Sequence, residues 1–126
     1  PETIAAFEKR ADCTFWTLYG QTETSGFVTL GPVSANPGSA GRQGLLTRYR
    51  IVDENDRDVP QGSQGEIVVQ GPLVFQGFWG HDKRNRQLFR NGWHHTGDLG
   101  HLDKNGYLWF GGRKPEKELI KPDSFC

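Results

Sequence analysis

Asp98 and Arg113 are the residues of this sequence best placed to do chemistry together. Asp98 ends the run His94-His-Thr-Gly-Asp98, Asp103-Lys-Asn-Gly106 follows, and Tyr107-Leu-Trp-Phe-Gly-Gly leads to Arg113. Apolar and polar residues alternate on both sides of Asn105-Gly106, a strong two-residue turn signal. The pattern predicts a first strand ending in glycine and aspartate, a turn at 103–106, and a second strand Tyr107–Phe110 with the arginine just past it. A hairpin brings its outer ends together, so a carboxylate and a guanidinium would meet at the open end. The two oxygens of a carboxylate can accept from the two hydroxyls of a vicinal diol. A guanidinium suits phosphate or carboxylate oxygens. Together they suggest a nucleotide; the same residues also suit a plain hairpin closed by a surface salt bridge.

A second stretch with chemical potential is Tyr19-Gly-Gln-Thr-Glu-Thr-Ser-Gly26. It reads as a glycine-bounded polar loop after a strand. Thr22, Thr24 and Ser25 offer hydroxyls and backbone amides to a phosphate, and Glu23 offers a carboxylate to Mg²⁺. An ordinary connecting loop has the same composition. The four histidines, 81, 94, 95 and 101, raise the question of zinc. Adjacent strand residues point to opposite faces, so His94 and His95 do not easily share one ion, and no cysteine lies near them.

These residues need a scaffold, and the chain reads as mainly β with minor α. Residues 3–11 have helical spacing, with apolar residues at 4, 7 and 11, and Asp12 closes the helix. Thr14–Leu18, Phe27–Leu30, Leu45–Val52 and Gly65–Gly71 read as strands, the last continued after a break through Pro72–Trp79. Residues 31–41 are rich in Gly, Pro, Ser and Asn and read as irregular. Asp53–Gly62 reads as a solvated charged loop, its alternating signs cancelling. Asp82–Arg90 suits one or two helical turns capped by Asp82.

The 126 residues suffice for one domain with its own core, although a hydrophobic content of 34% is lean. Glycine, at 17 residues, is well above its usual share of about 7% and points to a turn-rich β architecture. Lys+Arg and Asp+Glu are equal at 15 each, which argues against a general nucleic-acid or membrane-surface binder. No apolar run approaches the roughly 18 residues of a membrane span, and no signal peptide is evident. Cys13 and Cys126 lie at opposite ends without metal-type spacing, so a reducing, cytoplasmic setting is expected. Both chain ends look like cuts through something larger.

Four separated pieces can be read together: Tyr19-Gly-Gln-Thr-Glu23, Gly65-Glu-Ile-Val-Val-Gln-Gly-Pro72, Thr96-Gly-Asp98 and Gly112-Arg113. In this order the chain resembles the adenylate-forming superfamily of acyl-CoA synthetases, peptide-synthetase adenylation domains and luciferases, over about residues 3–122. Glu116-Lys-Glu-Leu-Ile-Lys-Pro122 looks most like the acyl-CoA synthetase branch. The resemblance implies a distorted antiparallel β-barrel subdomain. Residues 1–25 would be the end of a preceding α/β subdomain, 26–113 the barrel, and 114–126 a hinge and the start of a C-terminal lid. It implies a parent that joins a carboxylic acid to AMP with release of pyrophosphate, then passes the acyl group to CoA, as in fatty acid metabolism. ATP or AMP, Mg²⁺ and CoA are the implied small molecules.

By the same resemblance Tyr19 would lie against adenine, with Gly20 and Gln21 beside the nucleotide. Thr22 would bond the α-phosphate region, Glu23 would help hold Mg²⁺, Asp98 would accept from the ribose hydroxyls, and Arg113 would bind ribose or phosphate. Thr22, Glu23 and Arg113 would carry catalysis by positioning and charge neutralisation. The hinge would be Lys114 or Lys117, because Arg113-Lys-Pro-Glu-Lys117 has two extra residues against the commonest spacing. Gly65–Trp79 would be scaffold. A phosphate loop before residue 1 and a lid after the hinge are implied, and Asp123–Cys126 does not match the branch. The expectation is a fragment inactive alone, able to self-associate through the apolar faces of residues 3–11 and 14–18. A rival reading is a non-catalytic β-rich binding module.

Overall fold

The computed structural model describes residues 2–115, all but the first and the last eleven residues of the sequence. Helix α1 spans Glu2–Ala11, and Asp12, at φ 48°, ends it in the left-handed region. Strand β1 (Trp16–Gln21) turns through a short 3-10 segment, Thr22–Thr24, into β2 (Gly26–Pro32). Then come β3 (Arg42–Gln43), β4 (Arg48–Val52) and β5 (Gly65–Gln70). Helix α2 (Asp82–Leu88) precedes β6 (Phe89–Arg90), β7 (Trp93–Leu102) and β8 (Leu108–Arg113). The strands form two sheets, β1-β2-β3 and β4-β5-β7-β6, with β8 paired to β7. Every strand pairing is antiparallel.

β5 lies between β4 and β7 in the larger sheet. Ile67, Val68 and Val69 are all at most 1% exposed, so both of its faces are covered. Complete burial of such side chains stabilises by about 1.5–3 kcal/mol each. Ile67 and Val69 join Tyr19, Val28, Ile51 and Leu108 in one core, which therefore draws on both sheets. The core explains how a chain with little apolar residue folds: β1 and β2 lend one side chain each to the second sheet's inner face.

The expected hairpin turn is present at 103–106. Asp103 Oδ1 accepts the amides of Asn105 and Tyr107, and Gly106 takes φ 79°. Asp53-Glu-Asn-Asp56-Arg57 repeats the device: Asp53 Oδ1 accepts from Asn55 and Arg57, and Asp56 takes φ 60°. In both, an aspartate side chain satisfies the turn's amides ahead of a left-handed residue. The 53–62 loop is not purely solvated, since Asp56 also bonds Arg90 and Asn91 at 3.1 Å each.

Other boundaries differ from expectation. β1 starts later than Thr14 and runs through Gln21, so Tyr19-Gly20-Gln21 is strand and the polar loop begins at Thr22. Leu45 and Leu46 precede β4 and are 84% and 67% exposed, Leu46 with φ 63°. Pro72–Trp79 is turn and irregular rather than a continued strand, because Gly71 (φ 156°) and Gly77 (φ 131°) break extended pairing. His81 occupies the N-cap position of α2 without a side-chain capping bond, and Asp82 is the first helical residue rather than the cap. Tyr107 lies in the turn and Arg113 inside β8 rather than beyond it.

Candidate nucleotide site

Hairpin register places the first pair. Asp98 on β7 stands opposite Arg113 on β8, and Arg113 Nε lies 3.6 Å from Asp98 Oδ1. The Asp98 side chain is buried while Arg113 is largely exposed. Two further donors come from β1, far away in sequence. Tyr19 Oη donates to Asp98 Oδ2 at 2.8 Å, and Gln21 Nε2 donates to the same oxygen at 2.6 Å and to the Thr96 carbonyl at 3.0 Å. Residues 19 and 21 share a strand face by the two-residue period, although a bulge lies between Tyr19 and Gly20.

The backbone around Asp98 is equally fixed. Thr96 Oγ1 accepts the Asp98 amide at 3.1 Å and donates to the Ile67 carbonyl at 2.6 Å. Gly97 takes φ 73°, a conformation that glycine adopts without strain. Gly20 is required for a different reason: a Cβ there would fall 1.8 Å from the Gly26 carbonyl oxygen on β2. Its role is close strand approach, which keeps Tyr19 and Gln21 aimed at Asp98.

Leu18, Tyr19, Gly20, Gln21, Ala40, Asp98, Phe110 and Arg113 enclose an open groove of about 400 Å³. Tyr19 and Phe110 present their rings at 6.1 Å between centroids, and Phe110 is half exposed. Burial pushes the Tyr19 hydroxyl well above its ordinary range, so it stays protonated and donates. The Asp98 carboxylate is therefore asymmetric. Oδ2 takes two neutral donors, whereas Oδ1 receives no hydrogen bond among the described residues and faces the Arg113 side of the groove.

The groove gathers Tyr19, Gly20, Gln21, Asp98 and Arg113 of the sequence candidates. Thr22 and Glu23 do not line it; they occupy the 3-10 turn directly after Gln21, Thr22 exposed and Glu23 half-buried. Among the described residues no cluster of three or more His, Cys, Asp and Glu could hold a metal ion, and Glu23 belongs to none. Lys114 follows the groove's arginine and turns to β5. Its amide donates to the Gly97 carbonyl at 2.7 Å and its Nζ to Glu66 Oε2 at 3.2 Å. Lys117 lies outside the described residues.

His94 and His95 point to opposite sides of β7. His94 is 2% exposed among Phe75 and Phe89, its Nε2 is 3.5 Å from Gln21 Oε1, and its Nδ1 has no partner among the described residues. Burial holds its imidazole below the ordinary range, in the neutral form. His95 lies across the strand, with Nδ1 3.1 Å from Glu66 Oε2 and 2.9 Å from an Arg90 nitrogen. One contact offers an acceptor and the other a donor, so only one is a hydrogen bond in any single tautomer. Burial would raise the Glu66 carboxyl, but His95 and Lys114 outweigh it and hold the group down at about 2. The parts of Glu66 and Phe110 escape a sequence reading, because they arise from contacts between separate strands, and Thr96, although within a recognised motif, carries no role in it until its hydroxyl is seen to bond the Asp98 amide and the Ile67 carbonyl.

Comparison with known proteins identifies the family to which this fold and groove belong. The model of the family of AMP-binding enzymes matches residues 1–79, and the chain belongs to that family. An indoleacetate–CoA ligase of Aromatoleum aromaticum is 37% identical over 123 residues, 95% of this chain and 24% of the relative. A long-chain-fatty-acid–CoA ligase of Escherichia coli is 36% identical over 104 residues, 81% of this chain and 18% of that protein. Among solved structures, a candidate long-chain-fatty-acid CoA ligase of Rhodopseudomonas palustris is 48% identical with a TM-score of 0.85, covering 90% of this chain and 29% of that one. O-succinylbenzoate CoA synthetase of Bacillus subtilis, in complex with ATP and magnesium ion, is 27% identical with a TM-score of 0.82, covering 98% and 26%. This chain thus spans about a quarter or less of the length of the curated relatives it matches. The acyl-CoA synthetase-like β architecture expected from the sequence is the one found.

Proposed function

We propose that this chain is part of a carboxylic acid–CoA ligase and supplies the ribose side of its ATP site. The acid carboxylate attacks the α-phosphorus of ATP, forming acyl-AMP and releasing pyrophosphate. The CoA thiol then attacks the acyl carbonyl, forming the thioester and releasing AMP. The observation that carries this reading is the divided Asp98 carboxylate. Two neutral donors fix Oδ2, and Oδ1 is left to accept a hydroxyl at the groove. Arg113 at the rim adds a cation for phosphate or ribose oxygens, and Tyr19 with Phe110 adds aromatic surface for a base. The relatives named as CoA ligases, and the related synthetase seen with ATP and magnesium, support the same reading.

Thr22 and Glu23, one turn beyond the ribose groups, would meet the phosphates. Glu23 would hold Mg²⁺ together with phosphate oxygens and water, the usual way for this ion to be bound. Either Lys114 or Lys117 would serve as the hinge. The division into residues 1–25, 26–113 and 114–126 belongs to this reading. The chain alone would bind AMP without adenylating acids. Among the described residues no helix is long and apolar enough to cross a membrane. Titration with AMP by calorimetry tests the proposal: the chain should take up one equivalent, and Asp98→Asn should weaken uptake by ten- to a hundredfold, about 1.4–2.7 kcal/mol. Equal affinity in the two proteins would remove Asp98 from the site.

A further inference from the structure

Glu66 joins the two strands that carry the groove's charges. Its Oε1 accepts the Gly97 amide at 3.2 Å, and Gly97 immediately precedes Asp98. Its Oε2 accepts Lys114 Nζ at 3.2 Å, and Lys114 immediately follows Arg113. Lys114 closes the ring by donating its own amide to the Gly97 carbonyl at 2.7 Å. One buried carboxylate on β5 thus grips the residue before the anionic group and the residue after the cationic group. A register shift between Glu66 and Val68 in the β5–β7 pairing brings Glu66 to this position. Glu66 does not line the groove.

We infer that Glu66 is a positioning residue for the nucleotide site, holding Asp98 and Arg113 at their spacing through Gly97 and Lys114. The inference rests on the reading of the groove as a ribose site. Its physical basis is that a fixed dipole or charge stabilises a ligand best when no reorganisation is needed on binding. Hydrogen bonds to a charged acceptor are about twice as strong as neutral ones, so one carboxylate can fix two chain segments. The buried His95 ring lies on the other side of Glu66, its Nδ1 3.1 Å from Oε2, and limits the room the carboxylate has to move. A glutamine at position 66 keeps the shape but removes the charge and turns one acceptor into a donor.

The test uses the 126-residue chain with Glu66→Gln, Lys114→Met and, as a control that perturbs only packing, Val69→Ala. Melting temperature, amide hydrogen exchange at Gly97 and Lys114, and AMP affinity are read on each. Glu66→Gln should speed exchange at both amides at least about tenfold and weaken AMP by about tenfold. Lys114→Met should do the same to a smaller degree, and it decides the matter if Glu66→Gln fails to fold. Val69→Ala should lower the melting temperature while leaving AMP affinity near wild type. Wild-type exchange in the folded variants, or an equal loss of AMP affinity in Val69→Ala, overturns the inference. If the wild-type chain takes up no AMP, the ribose reading falls, and exchange at Gly97 and Lys114 alone decides whether Glu66 holds this geometry.

Discussion

Asp98 and Glu66 are almost equally hidden, at 4% and 6% exposure, on adjacent paired strands, yet their surroundings are opposite in kind. Asp98 is held by a phenol and an amide, both neutral, and its nearest cation lies 3.6 Å away on the exposed Arg113. Glu66 is held by a backbone amide and a lysine ammonium, with the His95 imidazole at 3.1 Å and Arg90 at 3.9 Å. Neutral donors orient a carboxylate while leaving its charge for a ligand. Cationic donors spend that charge inside the fold. Burial alone does not separate a binding carboxylate from a structural one; the partners do.

The largest expected effect comes from truncating the enclosed member. Glu66→Ala removes the acceptor of the Gly97 amide and of Lys114 and leaves the buried His95 facing a void, which should cost about 3 kcal/mol. Urea unfolding should show that loss, and a loss under about 1 kcal/mol would mean that Glu66 spends no charge in the fold.

Acid should expose the same contrast. The Glu66 carboxyl is depressed from an ordinary 4.5 to about 2 in the fold, so its stabilisation is complete above the unfolded value and is lost as pH falls through the folded one. The difference corresponds to about 3 kcal/mol between roughly pH 5 and pH 2. His94, depressed by burial, adds a loss of the same sign beginning near the ordinary histidine range. Stability curves of Glu66→Gln should be flatter over the acid window, and parallel curves would refute the assignment.

Asp98→Asn should reverse the pattern. In the parent enzyme it should cost about 2–3 kcal/mol of kcat/KM for ATP, while unfolding of this chain changes by about 1 kcal/mol. A stability loss larger than the kinetic one would make Asp98 an anchor of the hairpin. Tyr19→Phe removes only the donor to Oδ2, leaving Gln21 in place, so it should weaken AMP by about 1 kcal/mol. The smallest effect belongs to Trp79, 99% exposed: Trp79→Ala should leave unfolding within about 0.5 kcal/mol of wild type.

What the sequence makes legible is local. The hairpin and its Asp98–Arg113 register follow from one turn and one alternation, both within a short stretch. Helix α1 and strand β5 follow from periodicity and bounding glycines. Resemblance assigns Tyr19 and Gln21 to a nucleotide, but that they hold Asp98 depends on β1 packing across the hairpin, which no local pattern encodes. Glu66 read as scaffold because its contacts require the register shift against β7. Leu45-Leu46 misled in the opposite direction: apolar residues beside a strand suggest more strand, but Leu46 turns the chain instead. Phe7, Trp16 and Leu18 also remain more than half exposed, leaving an apolar face on α1 and β1.

The double attachment of Lys114 has a mechanical consequence. Main chain and side chain at this one residue are tied to β7 and β5 respectively, directly after the end of β8. A pull on whatever follows does not peel β8 from its free end, because the load enters at Gly97 and Glu66 and is shared between two strands of the sheet. Residue 114 is thus an anchorage for the chain beyond it, set one residue from the arginine and, through Gly97, one residue from the aspartate of the groove.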